Sequence, residues 1–136
     1  MTPVLQIRER QNKAFLLANP EALVELVQQE LRDTRPELVE GLDPLSFREM
    51  VVNAVARARR RGLTDPEDLA AFGVLAFVVA PNFDDHPRIR KALEQARGAP
   101  PPVFLRVVKS IPDEVWDDAA AGYDAAAWFS EDPVAP

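Results

Sequence analysis

The chain has 136 residues, is 47% apolar and 28% charged, carries a net charge of −6 and has no cysteine. That length suits one domain with a real core. The absence of cysteine excludes a disulfide framework, a thiolate zinc site and a cysteine nucleophile, and it is consistent with a reducing, cytoplasmic setting. The N-terminal MTPVLQIRERQNK lacks the apolar centre of a signal peptide. The longest apolar run, residues 69–81, falls short of the roughly 20 residues a membrane span requires, so no membrane insertion is expected. From residue 111 onward there are seven acidic residues and no Lys or Arg, whereas the preceding part is nearly balanced. The missing basic footprint argues against nucleic-acid binding.

Helix punctuation recurs along the chain. Residues 4–18 predict a short first helix. Asn19-Pro20 then reads as an N-cap followed by proline at the first helical position. Leu23, Val24, Val27 and Leu31 form its apolar stripe, and Pro36 ends it. Asp43-Pro44 opens the next helix, whose inner face is Phe47, Met50, Val51, Ala54, Val55 and Ala58. It ends in Arg57, Arg59, Arg60 and Arg61, with Gly62 placed as the residue beyond the C-cap.

Thr64-Asp65-Pro66-Glu67 matches a capping box. The helix after it carries Leu69, Phe72, Val74, Leu75, Phe77, Val78 and Val79 on all sides, so it is expected at the centre of the fold. Gly73 there would permit a close crossing. Pro81-Asn82 ends it. Asp84 or Asp85 is expected to cap a following helix that holds Pro87 near its start and Ile89, Leu93 and Ala96 on its inner side. Gly98-Ala99-Pro100-Pro101-Pro102 is a firm break. Residues 103–108 can be read as strand or helix, and the surrounding helices favour helix. Ser110-Ile111-Pro112-Asp113 reads as a further helix start, with Val115, Trp116 and Ala119 able to dock. The expected fold is all-α: a compact bundle of about five to seven short helices around a central apolar helix at about residues 65–80. One domain covers residues 1–122, and residues 123–136 read as an acidic-aromatic, partly mobile tail.

Catalytic patterns are scarce. Asp84-Asp85-His86 is the one cluster of acids with an imidazole, and His86 is the sole histidine. Its spacing matches no metal motif, so the aspartates read as helix caps and His86 as an exposed first-turn residue. No glycine-rich phosphate loop or nucleophile elbow is present. No catalytic residue, metal ligand or cofactor is therefore assigned. Two surfaces stand out for partner binding. Arg57, Arg60 and Arg61 could grip an acidic partner, although such runs are usually solvated helix ends. Trp116, Asp117, Asp118, Tyr123, Trp128 and Phe129 combine acids with large aromatics near the chain end, a combination suited to a basic partner surface.

The order of these features resembles a known group. Ile7-Arg8-x-x-Gln11-x-x-Ala14-Phe15 precedes an amphipathic helix ending near Arg35-Pro36. An Ala- and Arg-rich helix then ends at Arg61-Gly62-Leu63. Thr64-x-x-Glu67-Asp68-Leu69-Ala70-x-Phe72 follows, and then Ala80-Pro81-Asn82-Phe83-Asp84. Over about residues 5–97 this pattern is similar to small helical proteins encoded beside bacterial type VI secretion toxins and their spike components. Ala80-Pro81 stands where that group has glycine, and Arg61 where it has an aromatic residue or histidine. The resemblance implies a cytoplasmic accessory or adaptor protein, chaperone-like and non-enzymatic, that binds a toxin or spike component. It implies no catalytic residue. The alternatives are an immunity protein for a neighbouring toxin, a structural subunit of a larger assembly, or a hydrolase using the Asp84 or Asp85 carboxylate.

Overall fold

A computed structural model describes residues 13–129. Seven α-helices and no strand occur among them: α1 (Lys13–Ala18), α2 (Pro20–Thr34), α3 (Pro44–Arg60), α4 (Pro66–Val78), α5 (Pro87–Gln95), α6 (Phe104–Ser110) and α7 (Asp113–Ala121). Short 3-10 turns lie at Pro36–Leu38, Phe83–Asp85 and Ala125–Trp128. The all-α bundle expected from the sequence is the observed fold. Residues 103–108, ambiguous between strand and helix, lie largely in α6. The part of the first helix expected before residue 13 lies outside the described residues.

Proline sits in the first turn of α2, α3, α4 and α5. Its missing N–H costs nothing there, because the first N–H groups of a helix have no partner in the helix. The caps partly differ from expectation. Asp43 caps α3 as read, accepting from the Ser46 N–H at 3.2 Å. The cap of α4 is Asp65, not Thr64; its carboxylate accepts from the Glu67 N–H. A proline directly after the cap favours an extended residue before it, which places Asp65 at that position. Asn19 does not cap α2 with its side chain. Its Nδ2 donates back to the Phe15 carbonyl at 2.8 Å and closes the end of α1. Neither Asp84 nor Asp85 caps α5. His86 does, with Nδ1 accepting from the Arg88 N–H at 3.2 Å. Helix α7 starts after Pro112, and Ser110 instead closes α6 through a bond to the Val107 carbonyl.

The end of α3 shows why Gly62 is glycine. The Leu63 N–H reaches the Ala58 carbonyl and the Gly62 N–H reaches that of Arg59, a Schellman closure. It places Gly62 at φ +96°, a conformation in which a Cβ is strained.

Helix α4 packs against α1, α2, α3 and α6. Gly73 permits the expected close crossing: a Cβ there would lie 3.4 Å from Val27 of α2 and 3.6 Å from Val55 of α3. Two aromatic groups close the core. Phe72, Phe83 and Phe104 are fully buried, with ring centroids of Phe72 at 4.7 Å from Phe83 and 5.4 Å from Phe104. On the other side Phe47 meets Phe77 edge-on, and Phe77 packs on Trp128 at 4.5 Å. Tilted and edge-on contacts of this kind add to the burial of the rings themselves.

Among the described residues no helix is long and apolar enough to cross a membrane.

Candidate functional site

The residues singled out from the sequence fall into three different environments. Arg57 and Arg61 do not line a solvated helix end. Both are buried, because they lie four residues apart on the face of α3 that meets the turn after α4. Arg57 Nε donates to one oxygen of Asp84 at 2.7 Å, and Arg61 Nε to the other at 2.7 Å. Their second nitrogens reach Asp85, Arg57 Nη2 at 2.9 Å and Arg61 Nη2 at 3.0 Å. Arg61 also donates to the Asp84 carbonyl. Asp84 is fully enclosed, while the Asp85 side chain is 48% exposed. Two guanidinium groups therefore meet two carboxylates, and the acidic turn expected to be a cap is a charge-neutral clamp between α3 and the Phe83–Asp85 turn. Arg57 and Arg61 are occupied inside the fold. Arg60 remains exposed.

The aromatic residues near the chain end are similarly divided. Trp128 is buried. Its ring lies on Phe77, its indole N–H donates to the Tyr123 hydroxyl at 2.6 Å, and its carbonyl accepts from Asn53 Nδ2 at 2.8 Å. Asn82 holds the same segment from the other side, donating to the Gly122 carbonyl and accepting from the Asp124 N–H. Residues 123–129 are thus held to the bundle through Trp128 and Asn82, and the burial of Trp128 corrects its reading as a partner-facing side chain. The same indole that could bind a partner groove finds one in its own fold. Trp116 is half-buried against Phe83. Asp117 and Asp118 are exposed on α7, Tyr123 and Phe129 are about half exposed, and residues 130–136 lie outside the described residues. His86 is half-buried rather than exposed, with Nε2 at 3.6 Å from Asp118.

In the sequence Asp68 stands out only as part of the Thr64-to-Phe72 pattern. In the structure it is buried and accepts from the N–H groups of Val103 and Phe104 at 3.0 and 2.9 Å. It caps α6 across 36 positions of sequence. That cap sets the position of α6 beside α4.

The placement of α6 creates the concavity best suited to a ligand. A groove of about 500 Å³ runs between α2, α4 and α6. Ala71, Val74, Leu75 and Val78 of α4 form its floor, Phe104, Leu105 and Val108 of α6 one wall, and Thr34, Arg35 and Glu67 its polar end. Helix α4 is apolar all round, yet no described element fully covers its 71–75–78 stripe: Ala71, Leu75 and Val78 are only partly buried. A helix of this kind is expected to be enclosed, so this side departs from the rule. Leu105 opposite is 47% exposed.

Thr34 and Arg35 at the groove end have partners within the fold. The Thr34 hydroxyl donates to the Glu30 carbonyl, and Arg35 is held by Glu37 at 2.7 Å. That hydrogen bond keeps the Glu37 carboxyl below its usual range. Among the described residues no three His, Asp or Glu side chains converge as a metal site would require. Comparison with known proteins gives no match: no family model, no curated protein and no solved structure is similar to this chain.

Proposed function

We propose that this chain is a non-enzymatic protein-binding module, and that the groove between α2, α4 and α6 is its binding surface. One observation carries the reading: the central helix leaves an apolar stripe, Ala71, Leu75 and Val78, only partly covered beside an exposed Leu105. Water contact with such a stripe is unfavourable by roughly 25 cal/mol per Å² of apolar surface, and a partner that covers it removes that cost. An apolar concavity bounded by helices fits a partner helix laid in it. The order of motifs from Gln11 to Asp84 favours a partner among type VI secretion toxins or spike components. A cytoplasmic accessory role in holding such a partner before secretion follows from that resemblance.

Co-expression with the adjacent toxin or spike gene product, followed by size-exclusion chromatography, tests this. A stoichiometric complex that is lost with Leu105→Glu, while the variant keeps its circular dichroism and melting temperature, supports the groove. Leu105 is exposed enough for that change to leave folding intact. A complex indifferent to Leu105→Glu sinks the groove as the binding surface. Toxicity of the neighbouring gene expressed alone, relieved by this chain, assigns the immunity role instead of delivery.

A further inference from the structure

Charge is sorted along the second half of the chain in a way that the net value hides. Residues 87–110 hold six cations, Arg88, Arg90, Lys91, Arg97, Arg106 and Lys109, against one acid, Glu94, and every charged residue after them is acidic. Five of the six cations are exposed and Arg90 is half-buried. Arg35, Arg48, Arg57 and Arg61 each meet a carboxylate. None of the six does so within 4.0 Å among the described residues. Arg97 and Arg106 donate to the carbonyls of Arg60 and Pro100, which leaves their charge unneutralised.

These cations border a cleft. Helices α5 and α6 pack on each other and leave a concavity of about 250 Å³ between them, with Ala92, Ala96 and Val107 as apolar lining and Gln95, Arg106 and Ser110 as polar lining. Arg88 and Lys91 precede Gln95 on α5 by whole helical turns, so they share its side and extend the same border. The acidic helix stands next to it. His86, which caps α5, has Nε2 at 3.6 Å from Asp118 of α7. Asp113, Glu114, Asp117 and Asp118 are all exposed on α7, which carries no cation.

From this sorting we infer that the α5–α6 cleft binds the acidic face of α7 on a second copy of this chain. The surface is separate from the groove between α2, α4 and α6, so the two readings stand or fall independently. A basic cleft beside an acidic helix is self-complementary about a two-fold axis: each copy offers both, and the contact forms twice. One exposed ion pair contributes little. Several pairs, doubled by the symmetry and set over an apolar floor, make a measurable association that salt weakens. An extended polyanion such as a nucleic acid fits less well, because the α7 acids beside the cleft and the net charge of −6 repel it. A second copy instead brings acids over the cleft and its own cations to α7.

Analytical ultracentrifugation of the full chain at about 200 μM, in about 50 mM and about 500 mM salt, provides the test. A dimer is expected at the lower salt, with its dissociation constant raised at least about tenfold at the higher. Arg88→Glu with Lys91→Glu makes both surfaces acidic, and Asp117→Lys with Asp118→Lys makes both basic. Each double variant is expected to be monomeric alone, and the two mixed are expected to form a one-to-one complex. All four positions are exposed, and circular dichroism melts check that folding is intact. The milder Lys91→Gln, expected to weaken the low-salt dimer about threefold, serves where a charge reversal disturbs the fold. A monomer at both salt levels, a dimer indifferent to salt or to Lys91→Gln, or folded double variants that fail to join when mixed overturns the proposal. A labelled single-stranded DNA bound by a monomeric chain and released by Lys91→Gln would overturn it in favour of a nucleic acid.

Discussion

Asp84→Asn removes the charge that Arg57 and Arg61 share. In the native fold each carboxylate oxygen of Asp84 accepts from one guanidinium at 2.7 Å, and the aspartate is fully enclosed. Asparagine keeps one acceptor oxygen and turns an NH2 group toward an arginine N–H. Two buried cations would then face only the half-exposed Asp85. Breaking one partner of a buried ion pair costs about 3–5 kcal/mol. Residual pairing with Asp85 puts the expectation at the low end, about 3 kcal/mol, a large share of the roughly 5–15 kcal/mol that holds a domain folded. Asp85→Asn is the internal control. Its side chain is 48% exposed, so its loss should cost less than about 1 kcal/mol. Urea unfolding followed by circular dichroism at neutral pH measures both, with unchanged m-values required for the comparison. Equal costs for the two variants, or a cost below about 1 kcal/mol for Asp84→Asn, would refute the idea that this clamp ties α3 to the turn after α4.

Trp128→Ala should lose about 3 kcal/mol in the same urea assay, because it empties a buried site against Phe77; near-native stability would mean residues 123–129 contribute no packing. Asp68→Ala leaves the Val103 and Phe104 N–H groups without their acceptor, which should cost about 2 kcal/mol and raise amide hydrogen exchange across α6. Exchange confined to other helices would contradict its role as a cap. Gly73→Leu forces a large side chain against Val27 and Val55, and a melting experiment should show about 1–3 kcal/mol of destabilisation. For Glu30 the sign of the pH effect follows from its raised pKa. The protonated form is favoured by folding, so that stability is full below the unfolded pKa and fades as pH rises through the folded one. Glu30→Gln should therefore stabilise the chain at about pH 7 and have no effect at about pH 3, and a gain of equal size at both pH values would exclude ionisation as the cause.

Much of the fold was legible because local chemistry writes it locally. Prolines at helix starts, Asp43 as a cap and Gly62 beyond α3 each act within one helical turn, so a linear reading finds them. The apolar periods of α2 and α3 likewise match the buried faces. Caps with two nearby candidates were harder. Thr64 and Asp65 both satisfy the type of residue required, and only the backbone path chooses between them. Asp84, Asp85 and His86 gave the opposite difficulty. Their spacing is right for a cap, but the Arg57–Arg61 pair, 23–27 positions away, draws Asp84 into the core, pairs Asp85 at its edge and leaves His86 to cap α5.

The candidate site was the least visible part. Sequence placed interest on the exposed ends, Arg57–Arg61 and the aromatic tail, because charge runs and terminal tryptophans are conspicuous in a linear text. Arg57, Arg61 and Trp128 proved to be satisfied inside the molecule. The groove has no motif of its own: its floor is a stripe of Ala71, Leu75 and Val78 that looks the same as every other side of α4.

The amino-acid order by itself determined the helical class, most helix limits, the central position of α4 and the crossing at Gly73. These follow from caps, breakers and periodicity, which depend on neighbours within about one turn. Tertiary structure alone decided which side of α4 stays open, because that depends on where α6 is held. Asp68 holds it there, 36 positions before Phe104, and a carboxylate's partner at that distance is chosen only when the chain has folded around it.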